Sequence, residues 1–143
     1  MATYPDLTND VEFGKYPVLP VGTYTFTIDS ITSTDDSGKF LLDKNGHKVV
    51  KVAYSTEVNG QPYKLFDNLV FDEDYKYANM HRSKMKSLVM AVGGDVEGGE
   101  YEDLVGLSFS GQTKNSEFNG NVYANIVKYA PLGAGGASDD LGL

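Results

Sequence analysis

Residue types that make or break covalent bonds are thinly spread in this chain. It has no cysteine, which excludes disulfides, thiolate zinc sites and cysteine nucleophiles. His47 and His81 share no ligand spacing, so no metal site is expected. "DDSG" (35–38) and "DEDY" (72–75) lack the spacing of a calcium loop, and no phosphate loop or nucleophile elbow is present. The acids have no base or nucleophile beside them, so the chain reads as non-enzymatic, without catalytic residues or cofactor. Rings and ammonium groups are plentiful instead. Ten tyrosines and seven phenylalanines exceed what a core of this size requires, and tyrosine suits a wet surface because its ring stacks while its hydroxyl stays solvated. In "YKLFDNLVF" (63–71), Lys64, Phe66, Asn68 and Val70 alternate with Tyr63, Leu65, Leu69 and Phe71. The second set reads as core-facing, with Asp67 an exception, and the first as an exposed surface. This is the chemistry of stacking and ion pairing.

Strands must carry such a surface. "TYTFTIDSIT" (23–32) alternates Thr with Tyr24, Phe26 and Ile28, the period of a half-buried strand. The phase slips after Ile28, because the next apolar residue is Ile31, which predicts a bulge. "STDDSGKFLLDKNGHK" is a polar connection whose "FLL" and "NG" suggest a small hairpin of its own. "VVKVAYSTEV" (49–58) puts Val50, Val52, Tyr54 and Val58 on one face and Lys51, Ala53, Ser55 and Glu57 on the other. "NGQP" turns it into the 63–71 strand, which would place Lys51 beside Lys64. Met85, Leu88, Val89 and Val92 then fall at helical spacing, with Asp72 or Asp74 as N-cap and Gly93-Gly94 as stop. "LSFSGQTK" (107–114), the turn "NSEFNG" and "NVYANIVKY" (121–129) make a final hairpin. In its last strand Val122, Ala124 and Ile126 should face inward and Tyr123, Asn125, Val127 and Tyr129 outward.

Three strands, a helix and two strands match a mainly β fold, the five-stranded OB-fold Greek-key barrel with one helix between strands three and four. A small sandwich, or another five-stranded barrel with a helical cap, would read almost the same. The expected organisation is an irregular lead-in over 1–22, one barrel domain over 23–131 and a flexible acidic tail over 132–143. With 143 residues the chain can bury a core without metal or disulfide. No leader-like apolar segment opens it and no run of residues is apolar enough to span a bilayer, so a cytoplasmic protein is expected. The net charge of −8 argues against a polyanionic partner, but the charge is uneven. Residues 44–90 hold eight Lys and Arg against five acids, so a local basic surface is available.

Several stretches together resemble the small single-stranded DNA-binding proteins of bacteriophages: "LPVGTYTFTI", "YKLFDNLVF", "LVMAVGG", "DLVGLSF" and "NVYANIVKYAP", spanning roughly residues 19–131. The resemblance implies an OB-fold, sequence-tolerant binding of single-stranded DNA in replication or recombination, and no catalysis. Such binding needs rings for bases and cations for phosphates. The candidates are Lys51, Lys64, Phe66, Tyr123, Phe118 and Lys114, with Lys48 and Phe40 behind them. Phe40 and Phe118 are expected in the two loops that clasp ligand in OB-folds. Arg82, Lys84 and Lys86 on the helix read as solvated or as partner contacts. The ending "GAGGASDDLGL" is similar in plan to the tips of bacterial single-stranded DNA-binding proteins. There Asp139, Asp140, Leu141 and Leu143 would engage replication or recombination proteins. Free strand edges also permit a homodimer. A non-enzymatic adaptor, serving virion assembly or carbohydrate binding, is the competing reading.

Overall fold

The computed structural model describes residues 2–8 and 18–133. Five strands and one helix follow one another as β1 (Thr23–Thr32), β2 (Val49–Val58), β3 (Gln61–Val70), α1 (Ala78–Ala91), β4 (Ser108–Phe118) and β5 (Asn121–Ala130). The strands form one antiparallel sheet in the order β3-β2-β1-β4-β5. Among the described residues the fold is therefore mainly β, with one α-helix and a short 3-10 turn (Tyr101–Asp103) between the third and fourth strands. Among the described residues no ladder joins β3 to β5, so the sheet is not closed by backbone pairing. No helix among the described residues is long and apolar enough to cross a membrane.

Two Asn-Gly pairs set the hairpins. Asn59 and Gly60 have φ of 53° and 80°, and Asn119 and Gly120 have 53° and 78°. Positive φ at both central positions is the type I′ geometry that matches strand twist. Pairing therefore runs to the last possible residue, Val58 opposite Gln61 and Phe118 opposite Asn121. Both turns are tighter than the four- and six-residue turns expected from sequence. Pro62 falls inside β3 as a result, tolerable because β3 is an edge strand.

Two bulges reset the pleat. In β1, Ile28 pairs with Tyr54 but Ser30 with Ala53, which leaves Asp29 as the extra residue. Ile28 and Ile31 then both point inward, as the phase slip predicts. In β5, Thr113 pairs with Ile126 but Gln112 with Lys128, leaving Val127 unmatched. That second bulge turns Tyr129 inward, against the outward position expected from uninterrupted alternation. Val122 shares the inward side but is exposed, since the hairpin there extends past the core.

The core gathers Phe26, Ile28, Val52, Tyr54, Phe109, Leu88 and Ile126. Phe26 stacks on Phe109, and the Tyr54 ring meets both edge-on. Gly111 makes that stack possible, because a Cβ there would lie 2.7 Å from Phe26 Cδ2. Leu19, in the expected lead-in, is also fully buried in this core, and the Pro20 carbonyl accepts the Tyr24 hydroxyl. The helix contributes Leu88 and Ala91, flanked by Met85, Val89 and Val92. It stops at Gly93, whose positive φ lets the Gly94 amide reach the Val89 carbonyl. Neither Asp72 nor Asp74 caps it. Helix α1 begins only at Ala78 without a side-chain cap, because both acids are engaged elsewhere.

Candidate nucleic-acid interface

The sheet face turned away from the core carries the first group of candidates. Lys64 pairs across to Ser55, Phe66 to Ala53 and Asn68 to Lys51. Phe66 is 65% exposed, unusual for a ring on a regular strand. Its row continues through Ala53 to Ser30 on β1, and both side chains are too small to shade it. Lys51 and Lys64 lie in the rows on either side of Phe66 rather than next to each other. The separation is about 13 Å of strand at 3.3 Å per residue. Val70 belongs to this face by phase yet is buried with its partner Val49. The β1–β2 connection lies against that end, where the Val49 amide donates to the Leu41 carbonyl.

Lys64 is not free of carboxylates. The bulged Asp29 emerges on this face, accepts the Ser55 hydroxyl at 2.8 Å through Oδ1 and stands 3.8 Å from Lys64 Nζ through Oδ2. Glu57 is a second exposed acid here, opposite Pro62. Threonines and serines fill the middle of the sheet: Thr27 and Ser108 share a 2.8 Å hydrogen bond between their hydroxyls.

The second group lies on an overhang. Strand β1 begins at Thr23, opposite Gln112, whereas β4 and β5 continue paired to Phe118 and Asn121. Lys114, Phe118 and Tyr123 share the outer face of this two-stranded ribbon. Phe118 is 67% exposed and Tyr123 48%. Phe118 is the last residue of β4, not a loop residue, because the tight Asn119-Gly120 turn leaves no loop for it. Counting along the ladders, about ten residues of strand, roughly 30 Å, separate the Tyr123 row from the Phe66 row. The sequence candidates thus form two groups on one face.

A third pair occupies the β1–β2 connection. Lys48 Nζ lies 4.3 Å from the centre of the exposed Phe40 ring. Isolated bridges Thr34–Phe40 and Leu42–Lys48 form the local hairpin that "FLL" and "NG" suggested. Each of its two turns is built on an aspartate. Asp35 accepts the amides of Ser37 and Lys39, and Asp43 those of Asn45 and His47. Those hydrogen bonds hold both carboxyls below the usual range, with the Ser37 hydroxyl foremost at Asp35 and the His47 amide foremost at Asp43.

His47 fastens this connection to the segment before α1. Its Nδ1 is 3.2 Å from Asp43 and its Nε2 3.3 Å from Asp74. The Lys48 amide donates to Asp72, and the Tyr75 ring sits 5.4 Å from the rings of both His47 and His81. Burial pushes the His47 pKa down, but Asp43 and Asp74 together outweigh it and hold it above the usual imidazole value. His81 goes the other way: burial, then the nearby Lys84 ammonium, lowers its pKa. Its Nδ1 accepts the Val70 amide, which requires that nitrogen to be unprotonated.

Asp67, the break in the alternation of β3, points inward and does structural work. It accepts the Tyr54 hydroxyl at 2.9 Å and the Tyr129 hydroxyl at 3.3 Å through Oδ2, and the Lys84 ammonium at 2.8 Å through Oδ1. One carboxylate therefore ties β2, β3, β5 and α1 together. It bridges the β3 and β5 edges that no ladder joins. Burial, reinforced by this charge, keeps both phenols well above the ordinary tyrosine pKa. Lys84 is accordingly neither a solvated nor a partner-facing cation, whereas Arg82 and Lys86 are exposed. Only the broken alternation at Asp67 signalled this network in the sequence. Asp139, Asp140, Leu141 and Leu143 lie outside the described residues. The chain matches no protein-family model and no curated protein sequence.

Proposed function

We propose that this chain is a phage-type, sequence-tolerant single-stranded DNA-binding protein built on an OB-type barrel. In this reading its acidic tip recruits replication or recombination proteins. The order of the ladders and the place of the helix support the barrel assignment, with the Asp67 bridge standing where the closing ladder would run. The observation that carries the function is the setting of Phe66. An exposed ring, unshaded by its row neighbours and bracketed by two lysines, offers a base its face and the adjoining phosphates their counter-charges. Tyr123, Phe118 and Lys114 repeat that combination farther along the same face.

Titration of a fluorescent oligo-dT against duplex competitor tests the reading. Binding should favour the single strand and weaken as salt is raised. Phe66→Ala should cost about 1–3 kcal/mol, the value of one stacked base, with little loss of stability because the ring is mostly exposed. No single-strand preference at low salt, or binding indifferent to Phe66, refutes it.

A further inference from the structure

Resting on the single-strand reading, we infer that Asp29 is a built-in competitor for the phosphate that Lys64 would contact, and so sets how tightly and how salt-dependently the face binds. At the bulge Asp29 has no cross-strand partner and stands beside the Lys64 row. An uninterrupted β1 would turn the residue after Ile28 outward once and then return inward. The extra residue gives two successive outward positions, Asp29 and Ser30, beside the Lys64 and Phe66 rows. The Asp29 carboxylate is held rather than loose, because the Ser55 hydroxyl donates to Oδ1 and fixes Oδ2 toward the ammonium.

A phosphate arriving at Lys64 meets that carboxylate. Either the ammonium leaves Asp29, or anion and carboxylate share it at the cost of repulsion. Both routes subtract from the gain of the phosphate contact, and the loss falls on charge and not on stacking. Asp29 therefore restrains the electrostatic part of binding while leaving Phe66 untouched. Such a face discriminates toward unpaired bases, because a duplex offers it phosphates but no free ring.

The test is a comparison of the full chain with Asp29→Asn, Lys64→Ala and the double variant, titrated with fluorescent oligo-dT from low to high salt. Asparagine keeps an oxygen for Ser55 and removes only the charge. Asp29→Asn should bind about two- to fivefold more tightly at low salt, the range of an exposed ion pair. Its log K against log salt slope should steepen by about 0.7, one further phosphate neutralised on a single strand. It should also bind duplex competitor better. In the Lys64→Ala background the same substitution should gain little. Unchanged or weaker binding by Asp29→Asn, or an equal gain without Lys64, overturns the inference while leaving the function standing. Absence of binding by the unsubstituted chain overturns both.

Discussion

Replacing Asp67 by alanine tests the view that one carboxylate holds the two unpaired edges of the sheet together. The Tyr54 hydroxyl sits on a residue only 1% exposed, and the substitution removes the carboxylate to which it donates. A buried unsatisfied group of that kind costs about 1–3 kcal/mol. Tyr129 loses a longer bond, 3.3 Å, worth about 0.5 kcal/mol. The Lys84 ammonium, with about a quarter of its side chain exposed, recovers part of its solvation, so its loss is held to about 1 kcal/mol. The total is about 2.5–4.5 kcal/mol, a large share of the 5–15 kcal/mol typical of a domain. Urea unfolding followed by tyrosine fluorescence and circular dichroism measures it, with the midpoint moving and the slope unchanged. The informative variant is the double one. Tyr54→Phe alone should destabilise by about 1 kcal/mol, yet in the Asp67→Ala background it should restore stability, because it removes the stranded hydroxyl. A loss below about 0.5 kcal/mol for Asp67→Ala, or a further loss in the double variant, would refute the reasoning.

Two other expectations follow from the interior and the clasp. Gly111→Ala should destabilise by about 1–3 kcal/mol, the cost of overpacking, because its Cβ would lie 2.7 Å from a fully buried ring; equilibrium unfolding measures it, and a neutral result would contradict the packing. The two histidines should titrate on opposite sides of free imidazole, His47 above and His81 below, as followed by ring-proton NMR. With its pKa raised on folding, His47 adds stability that is complete below the unfolded value and fades as pH rises through the folded one. His81, with its pKa lowered, adds stability above the unfolded value that is lost as pH falls through the folded one. Coincident midpoints would show that neither the Asp43–Asp74 pair at His47 nor burial beside Lys84 at His81 governs the ring.

Strand positions were legible because apolar residues alternate cleanly where one face is buried. The β1 bulge was legible too, since polar Asp29 and Ser30 interrupt an apolar series. The bulge in β5 left no such trace. Val127 is apolar whether it faces out or in, so nothing in "NIVKY" betrays that the pleat resets before Tyr129. The hairpin ends differ from the sequence reading, in which "NGQP" and "NSEFNG" stand as turns of four and six residues. The Asn-Gly pairs instead close at two residues and draw Gln61, Pro62 and Phe118 into strands. For the same reason the ring and lysine residues were identifiable as exposed, but not their grouping. That Lys51 and Lys64 bracket Phe66, and that Phe118 and Tyr123 stand apart, depends on register, which is set by turns and bulges. The helix cap failed for a long-range reason: Asp72 and Asp74 are consumed by Lys48 and His47.

The ribbon beyond Thr113 divides the molecule's obligations. Residues 114–123 add no side chain to the buried set, so changes of length or composition there leave the interior's accounts untouched. A selection acting on ligand reach can therefore lengthen, trim or re-letter this projection in two-residue steps, each step keeping its facing intact. The part of the chain that evolves fastest under such pressure should be this outrigger, with the body behind it held fixed by Phe26, Tyr54 and Phe109.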